Sequence, residues 1–151
     1  MSAKALLDTN VLIAAVASEH EHHDRSRRLI ALAPRVEFAI AAHAFAEAYN
    51  TLTRGGPRGP FRFTPGDAIG VLESIRGKTL LLGATANQTF DGVRRYAFAG
   101  GIGPRLYDKL IGDVAALNGI SRIITWNVRH MRELFSTLTV EDPSEFMMRT
   151  A

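Results

Sequence analysis

KALLDTNVLIAAV, residues 4–16, is an apolar run broken by Asp8, Thr9 and Asn10. The residues before the break fit a short buried strand over 4–7, and those after it fit a helix over 10–17. A carboxylate, a hydroxyl and an amide between two core segments need an account. A buried carboxylate is costly unless it is paired or meets a cation. Asp8 as a helix cap is one account. Asp8 at the C-terminal end of a strand, where open α/β sheets build their sites, is another. The two are compatible.

Outward from this stretch the chain alternates. EHEHHD (19–24) reads as a polar connection, and RSRRLIALA (25–33) as a helix with Leu29, Ile30 and Leu32 as its apolar stripe, ended by Pro34. Residues 36–42 fit a second strand and 43–54 a helix that stops at Gly55-Gly56. A Pro/Gly-rich loop follows (55–66), then a helix (66–77), a strand (79–83) and a helix over 87–101. Residues 105–119 form a strongly amphipathic helix closed by Gly119. SRIITWN (121–127) fits a strand, 128–135 a short helix and 138–142 a last strand. This alternation predicts an α/β fold, with a largely parallel central sheet flanked by helices. The length fits one domain over 1–151.

Apolar residues make up 46% and charged residues 22%, which is ordinary globular usage. The net charge is +3, with 15 Arg against 3 Lys. Guanidinium pairs bidentately with phosphate, so this balance permits a nucleic-acid partner without requiring one. There is no cysteine, hence no disulfide framework and no thiolate metal site. VLIAAVA (11–17) before Ser18 mimics a signal peptide, but Asp8 and Asn10 interrupt it and only Lys4 supplies a basic flank, so none is expected. No uninterrupted apolar segment reaches membrane-spanning length. The expectation is a cytoplasmic protein with no membrane partner.

Four polar groups fall just beyond strand ends or in early helical turns: Asp8, Glu47, Asp108 and Asn127. With parallel strands all four are expected to face one crevice. Glu47 sits in AFAEAYN, an apolar setting unusual for a solvated face. Asp108 shares a helix face with Ile111, Gly112 and Ala115, whereas Asp113 is turned about 140° away and is expected to be structural or on the surface. Clustered carboxylates repel unless a cation neutralises them. Oxygen-only ligands select Mg²⁺ or Mn²⁺ over zinc, and such ions promote in-line attack on a phosphodiester.

LLDTNVLIAAV, AFAEAYNTL, LYDKLIGDVAALNG and IITWNVRHM, in that order, resemble the PIN-domain ribonucleases, and most of all the toxins of VapBC-type toxin–antitoxin pairs. The resemblance covers nearly the whole chain. It implies a PIN-like domain and a metal-dependent endoribonuclease inhibited by a cognate antitoxin. It further implies a homodimer, or a hetero-oligomer with that antitoxin. It places the metal-binding acids on Asp8, Glu47 and Asp108, and supporting roles on Thr9 and Thr125. The family's fourth acidic position falls on Asn127, an uncharged amide, which predicts one firmly held ion rather than two. Arg129 and His130, just past Asn127, are then candidates to contact RNA.

Several plainer readings stand beside these. His20, His22 and His23 fit no standard zinc spacing and read as a solvated loop. Trp126 and Phe135 read as core or interface residues. A haloacid-dehalogenase-like phosphatase also begins with an Asp after strand one. It expects a second Asp where Asn10 stands, and a downstream lysine, for which only Lys109 is available. A PIN-like protein that binds nucleic acid without cutting it is the remaining alternative.

Overall fold

Five short strands, Ala5–Leu7 (β1), Phe38–Ala41 (β2), Leu80–Leu82 (β3), Arg122–Ile124 (β4) and Thr139–Glu141 (β5), form one sheet in the order β3-β2-β1-β4-β5 in the computed structural model, which describes residues 5–150. Every pairing is parallel. The sequences ALL, FAIA and II explain why: strands covered on both faces are continuously apolar rather than alternating. Leu7 pairs with both Ile40 and Ile124, so β1, β2 and β4 end level with one another. Lys4, the expected first residue of β1, lies outside the described residues.

Eight α-helices flank the sheet among the described residues: Thr9–Val16 (α1), His23–Ile30 (α2), Ala42–Thr53 (α3), Pro65–Arg76 (α4), Ala86–Phe98 (α5), Arg105–Leu117 (α6), Val128–Leu134 (α7) and Pro143–Thr150 (α8). The core sits between sheet and helices and is centred on Leu6, Leu12, Phe38, Ile40, Ile111 and Ile123, all essentially inaccessible. Gly112 lets α6 approach closely: a Cβ there would stand 2.1 Å from the Phe135 ring. No helix among the described residues is long and apolar enough to cross a membrane.

The structure departs from the sequence expectation in three places. The connection expected at 19–24 is shifted toward the N-terminus, because α1 ends at Val16 and α2 begins at His23. The loop at 55–66 holds a 3₁₀ turn at Gly56–Arg58, and its Phe61 and Phe63 pack on the core. The third difference is α8, which was not expected at all. Its start carries a reciprocal cap: Glu145 N–H donates to Asp142 Oδ1 (2.8 Å), and Asp142 N–H donates to Glu145 Oε1 (3.1 Å). Phe146 of α8 is buried against Phe38, with ring centroids 5.7 Å apart. Glu141 joins Arg122 (2.7 Å) and Arg149 (2.8 Å), tying β4, β5 and α8 together. Burial pushes the Glu141 carboxyl up, but the hydrogen bonds from Arg149 and Arg122 outweigh it and hold the group below its ordinary range.

Candidate active site

The chain leaves β1 directly into α1, and Asp8 is the hinge. Its backbone is extended (φ −77°, ψ 160°), and its side chain accepts the Thr9 N–H at 2.8 Å, so it caps the helix. It is also 2% exposed and held from the neighbouring strand of the sheet. Thr125, one residue past β4, donates its hydroxyl to Asp8 Oδ2 at 2.8 Å. With its proton committed there, Thr125 Oγ1 accepts the Asn127 N–H (3.0 Å) and Asn10 Nδ2 (3.1 Å). Asn10 Oδ1 in turn accepts the Trp126 N–H at 3.0 Å. The Asp-Thr-Asn break is therefore both a cap and a clamp joining the ends of β1 and β4.

Glu47 enters from α3, which follows β2, and its Oε1 accepts a 3.4 Å contact from the Thr9 hydroxyl. Asp108 enters from the first turn of α6. Burial pushes the Asp8 carboxyl up to about 6, and the neighbouring charges of Asp108 and Glu47 add to this, against the hydrogen bonds from Thr125 and Thr9. Burial and then Asp108 raise Glu47, opposed by His43 and Thr9. Burial raises Asp108, opposed by His130 and Arg105. The three acids thus feel one another, and none of the ion pairs among the described residues involves Asp8 or Asp108.

A buried acid with two acidic neighbours and only neutral donors around it lacks a counter-charge. Three carboxylates with no sulfur beside them, and with His43 Nε2 3.7 Å from Glu47 Oε1, offer mainly oxygen donors, which suit a hard divalent ion. Among the described residues no three Asp, Glu or His side chains are already gathered around a single point.

The other expected residues sort differently. Asn127 follows the strand end as expected and its backbone is tied to Thr125, but it is exposed and its side chain makes no hydrogen bond to the acids. Asp8, Glu47 and Asp108 lie near enough for their charges to influence one another, whereas the Asn127 amide makes no bond to them. His130 is exposed and close enough to influence Asp108, while Arg129 is 92% exposed and reaches only toward Glu133 at 3.9 Å. Asp113 is structural but not on the surface: it is buried, paired with Lys109 and 3.6 Å from Arg95. Lys109 is thereby committed to Asp113 and stands over the Phe135 ring, which leaves the phosphatase reading without its lysine. His20 and His22 are half-buried rather than solvated. His22 stacks on Trp126 at 3.9 Å, and Trp126 Nε1 donates to the buried Ser26 hydroxyl at 2.8 Å.

Sequence reasoning missed Asn10, His43 and Tyr107 as site residues. Asn10 was visible as the third member of the polar break. His43 lies one turn before Glu47, with Nε2 3.7 Å from Glu47 Oε1, and its ring stacks on Tyr107. Nothing in the local sequence joins those two rings.

Among solved structures the chain is similar to VapC20 of Mycobacterium tuberculosis, described as a sarcin-ricin-loop-cleaving toxin (16% identity, TM-score 0.68, covering 87% of this chain and 96% of that one). It is also similar to VapBC2 of Rickettsia felis bound to a DNA fragment from its promoter (18% identity, TM-score 0.63, covering 91% and 97%). VapBC-1 of nontypeable Haemophilus influenzae is similar at 16% identity and TM-score 0.63, covering 93% and 98%. These likenesses show a shared fold. No curated protein matches the sequence. The family model of the PIN domain matches residues 5–132, a span that runs from β1 through α7 and includes every acid of the crevice, and the chain therefore belongs to the PIN-domain family.

Proposed function

We propose that this protein is an endoribonuclease that hydrolyses RNA phosphodiester bonds with Mg²⁺ or Mn²⁺, and that it serves as the toxin of a type II toxin–antitoxin pair in the cytoplasm. The observation that carries the reading is Asp8, buried with no cationic partner and facing Glu47 and Asp108 at the C-terminal edge of a parallel sheet. That arrangement is costly without a cation and useful with one. Asp8, Glu47 and Asp108 would hold the ion. When bound it activates water and neutralises charge on the phosphate under attack. Thr125 and the Thr9 N–H fix the two oxygens of Asp8, and the Thr9 hydroxyl orients Glu47. Arg105, beside Asp108, supplies positive charge, and His130 a ring N–H, for a neighbouring phosphate. The fold shared with a toxin and with two VapBC structures supports the toxin role and a cognate antitoxin as partner, in a homodimer or a hetero-oligomer with it.

The test is RNA cleavage by the purified protein. Cleavage is expected with Mg²⁺ or Mn²⁺, and is expected to vanish in excess EDTA and in Asp8→Ala or Asp108→Ala variants that keep the wild-type circular dichroism spectrum. Full activity in EDTA, or in either variant, would sink the assignment. RNA binding by the wild type without cleavage would favour the non-cutting PIN-like alternative.

A further inference from the structure

We propose that His43 and Tyr107 form a platform on which one nucleobase of the RNA stacks beside the carboxylates. This rests on the ribonuclease reading above and adds a second grip on the substrate, through a base rather than a phosphate. The two rings come from different helices, α3 and α6, and lie nearly parallel: centroids 5.5 Å apart, planes inclined by 17°. His43 sits against an acid of the crevice, and Tyr107 stacks on His43. His43 Nε2 is 3.7 Å from Glu47 Oε1, and Tyr107 immediately precedes Asp108.

Both are open to solvent, at 45% for the His43 side chain and 45% for Tyr107. Tyr107 makes no side-chain hydrogen bond among the described residues, in contrast to Tyr96, whose hydroxyl donates to the Ile102 carbonyl at 2.9 Å. This is an exposed aromatic surface held flat by a second ring at the rim of an acidic crevice. The other stacked pair near the site, His22–Trp126, is different. Its Trp126 is anchored to Ser26 and packs against the core.

Stacking on aromatic side chains is how proteins hold unpaired bases, and it tolerates every base because each has a π face. A base on these rings sets the position of its own sugar and of the adjoining phosphate. The platform therefore selects a strand whose base is free to leave its helix.

The experiment measures binding of short, fluorescein-labelled, single-stranded RNAs by anisotropy in an Asp8→Asn background with Mg²⁺, which retains RNA uncut. One RNA is intact, and each of the others carries a single abasic position. Tyr107→Ala is expected to weaken binding of the intact RNA roughly tenfold, and Tyr107→Phe to restore it. Removing the base at one position should cost the Tyr107-containing protein the same factor and cost Tyr107→Ala almost nothing. In the otherwise wild-type enzyme, Tyr107→Ala should raise KM more than it lowers kcat. Unchanged binding by Tyr107→Ala, alongside normal RNA cleavage by the wild type, would overturn the platform and leave the ribonuclease reading standing. Equal losses by Tyr107→Ala on every abasic RNA would do the same. Failure of the wild type both to bind and to cut RNA would overturn both.

Discussion

Thr125 donates a 2.8 Å hydrogen bond to Asp8 across 117 residues of chain, and both side chains are buried. This bond fixes which oxygen of Asp8 faces the crevice and opposes the burial that raises its pKa. Thr125→Val keeps the shape and removes the proton donor. Cleavage is expected to fall roughly 10- to 100-fold, the usual loss when a group orienting a metal ligand is removed. Thr125→Ser should retain most activity. Steady-state rates at saturating Mn²⁺ compare the two, and equal rates for Val and Ser would show that the hydroxyl does not orient Asp8.

The raised pKa of Asp8 makes the metal-free protein pH-sensitive. The folded state holds the Asp8 proton up to about pH 6, whereas the unfolded chain releases it near the ordinary 3.8. Between these values the folded state binds more protons, so stability falls as pH rises, by about 3 kcal/mol in all for this one group. Glu47 and Asp108, also raised, act in the same direction. Urea melts in EDTA at pH 4.5, 5.5 and 7.5 should show the decline, and Asp8→Asn should flatten it and be the more stable protein at pH 7.5. Saturating Mn²⁺ should restore wild-type stability at neutral pH. An apo protein that gains stability from pH 4.5 to 7.5 contradicts the electrostatics of the crevice.

Asn127 stands at the strand end without engaging the acids. Asn127→Ala is therefore expected to cost much less activity than Asp8→Ala. Asn127→Asp adds a negative charge at the mouth and should tighten Mn²⁺ binding in calorimetric titration. In the wild type that titration should give one firm site, since a second ion about 4 Å away would lack charge compensation. Two equally tight sites would show that the amide is no handicap.

Helix α8 secures the far edge of the sheet. Phe146 is 1% exposed, so Phe146→Ala should cost about 3–5 kcal/mol through lost burial and a residual cavity. Glu145→Ala removes one half of the reciprocal cap and should cost about 1 kcal/mol. Denaturant midpoints order the two. A larger loss at Glu145 than at Phe146 would mean that α8 is held by its cap rather than by its packing.

The parts of this fold that were legible in sequence are those where a side chain's role is set by its immediate neighbours. Asp8-Thr9-Asn10 stood out because polar residues interrupt a core run, and the parallel sheet followed from uninterrupted apolar strands. Asp142-Pro143-Ser144-Glu145 carried an equally local signal, a cap with Pro at the first helical position, but the helix it opens is only Pro143–Thr150 and lacks a long apolar period. The His43–Tyr107 and His22–Trp126 stacks were not legible, since each joins segments far apart in the chain and depends on how helices cross. Asn127 shows the opposite limit. Its place after β4 was readable, but sequence position fixes the backbone there and not where the amide points.

The clamp between Asp8, Asn10 and Thr125 also has a meaning in time. Asp8 is made 117 residues before Thr125, which follows its partner strand β4. Until Arg122–Ile124 has emerged and docked beside β1, Asp8 has neither Thr125 to orient it nor a closed sheet edge to bury it. Glu47 is in place earlier and Asp108 only shortly before. On the ribonuclease reading a partly synthesised chain would be inert, and the clamp forms only in a late, long-range step. If the proposed function holds, an antitoxin already at hand would meet the enzyme as it becomes competent, with no interval in which a half-made chain acts unchecked.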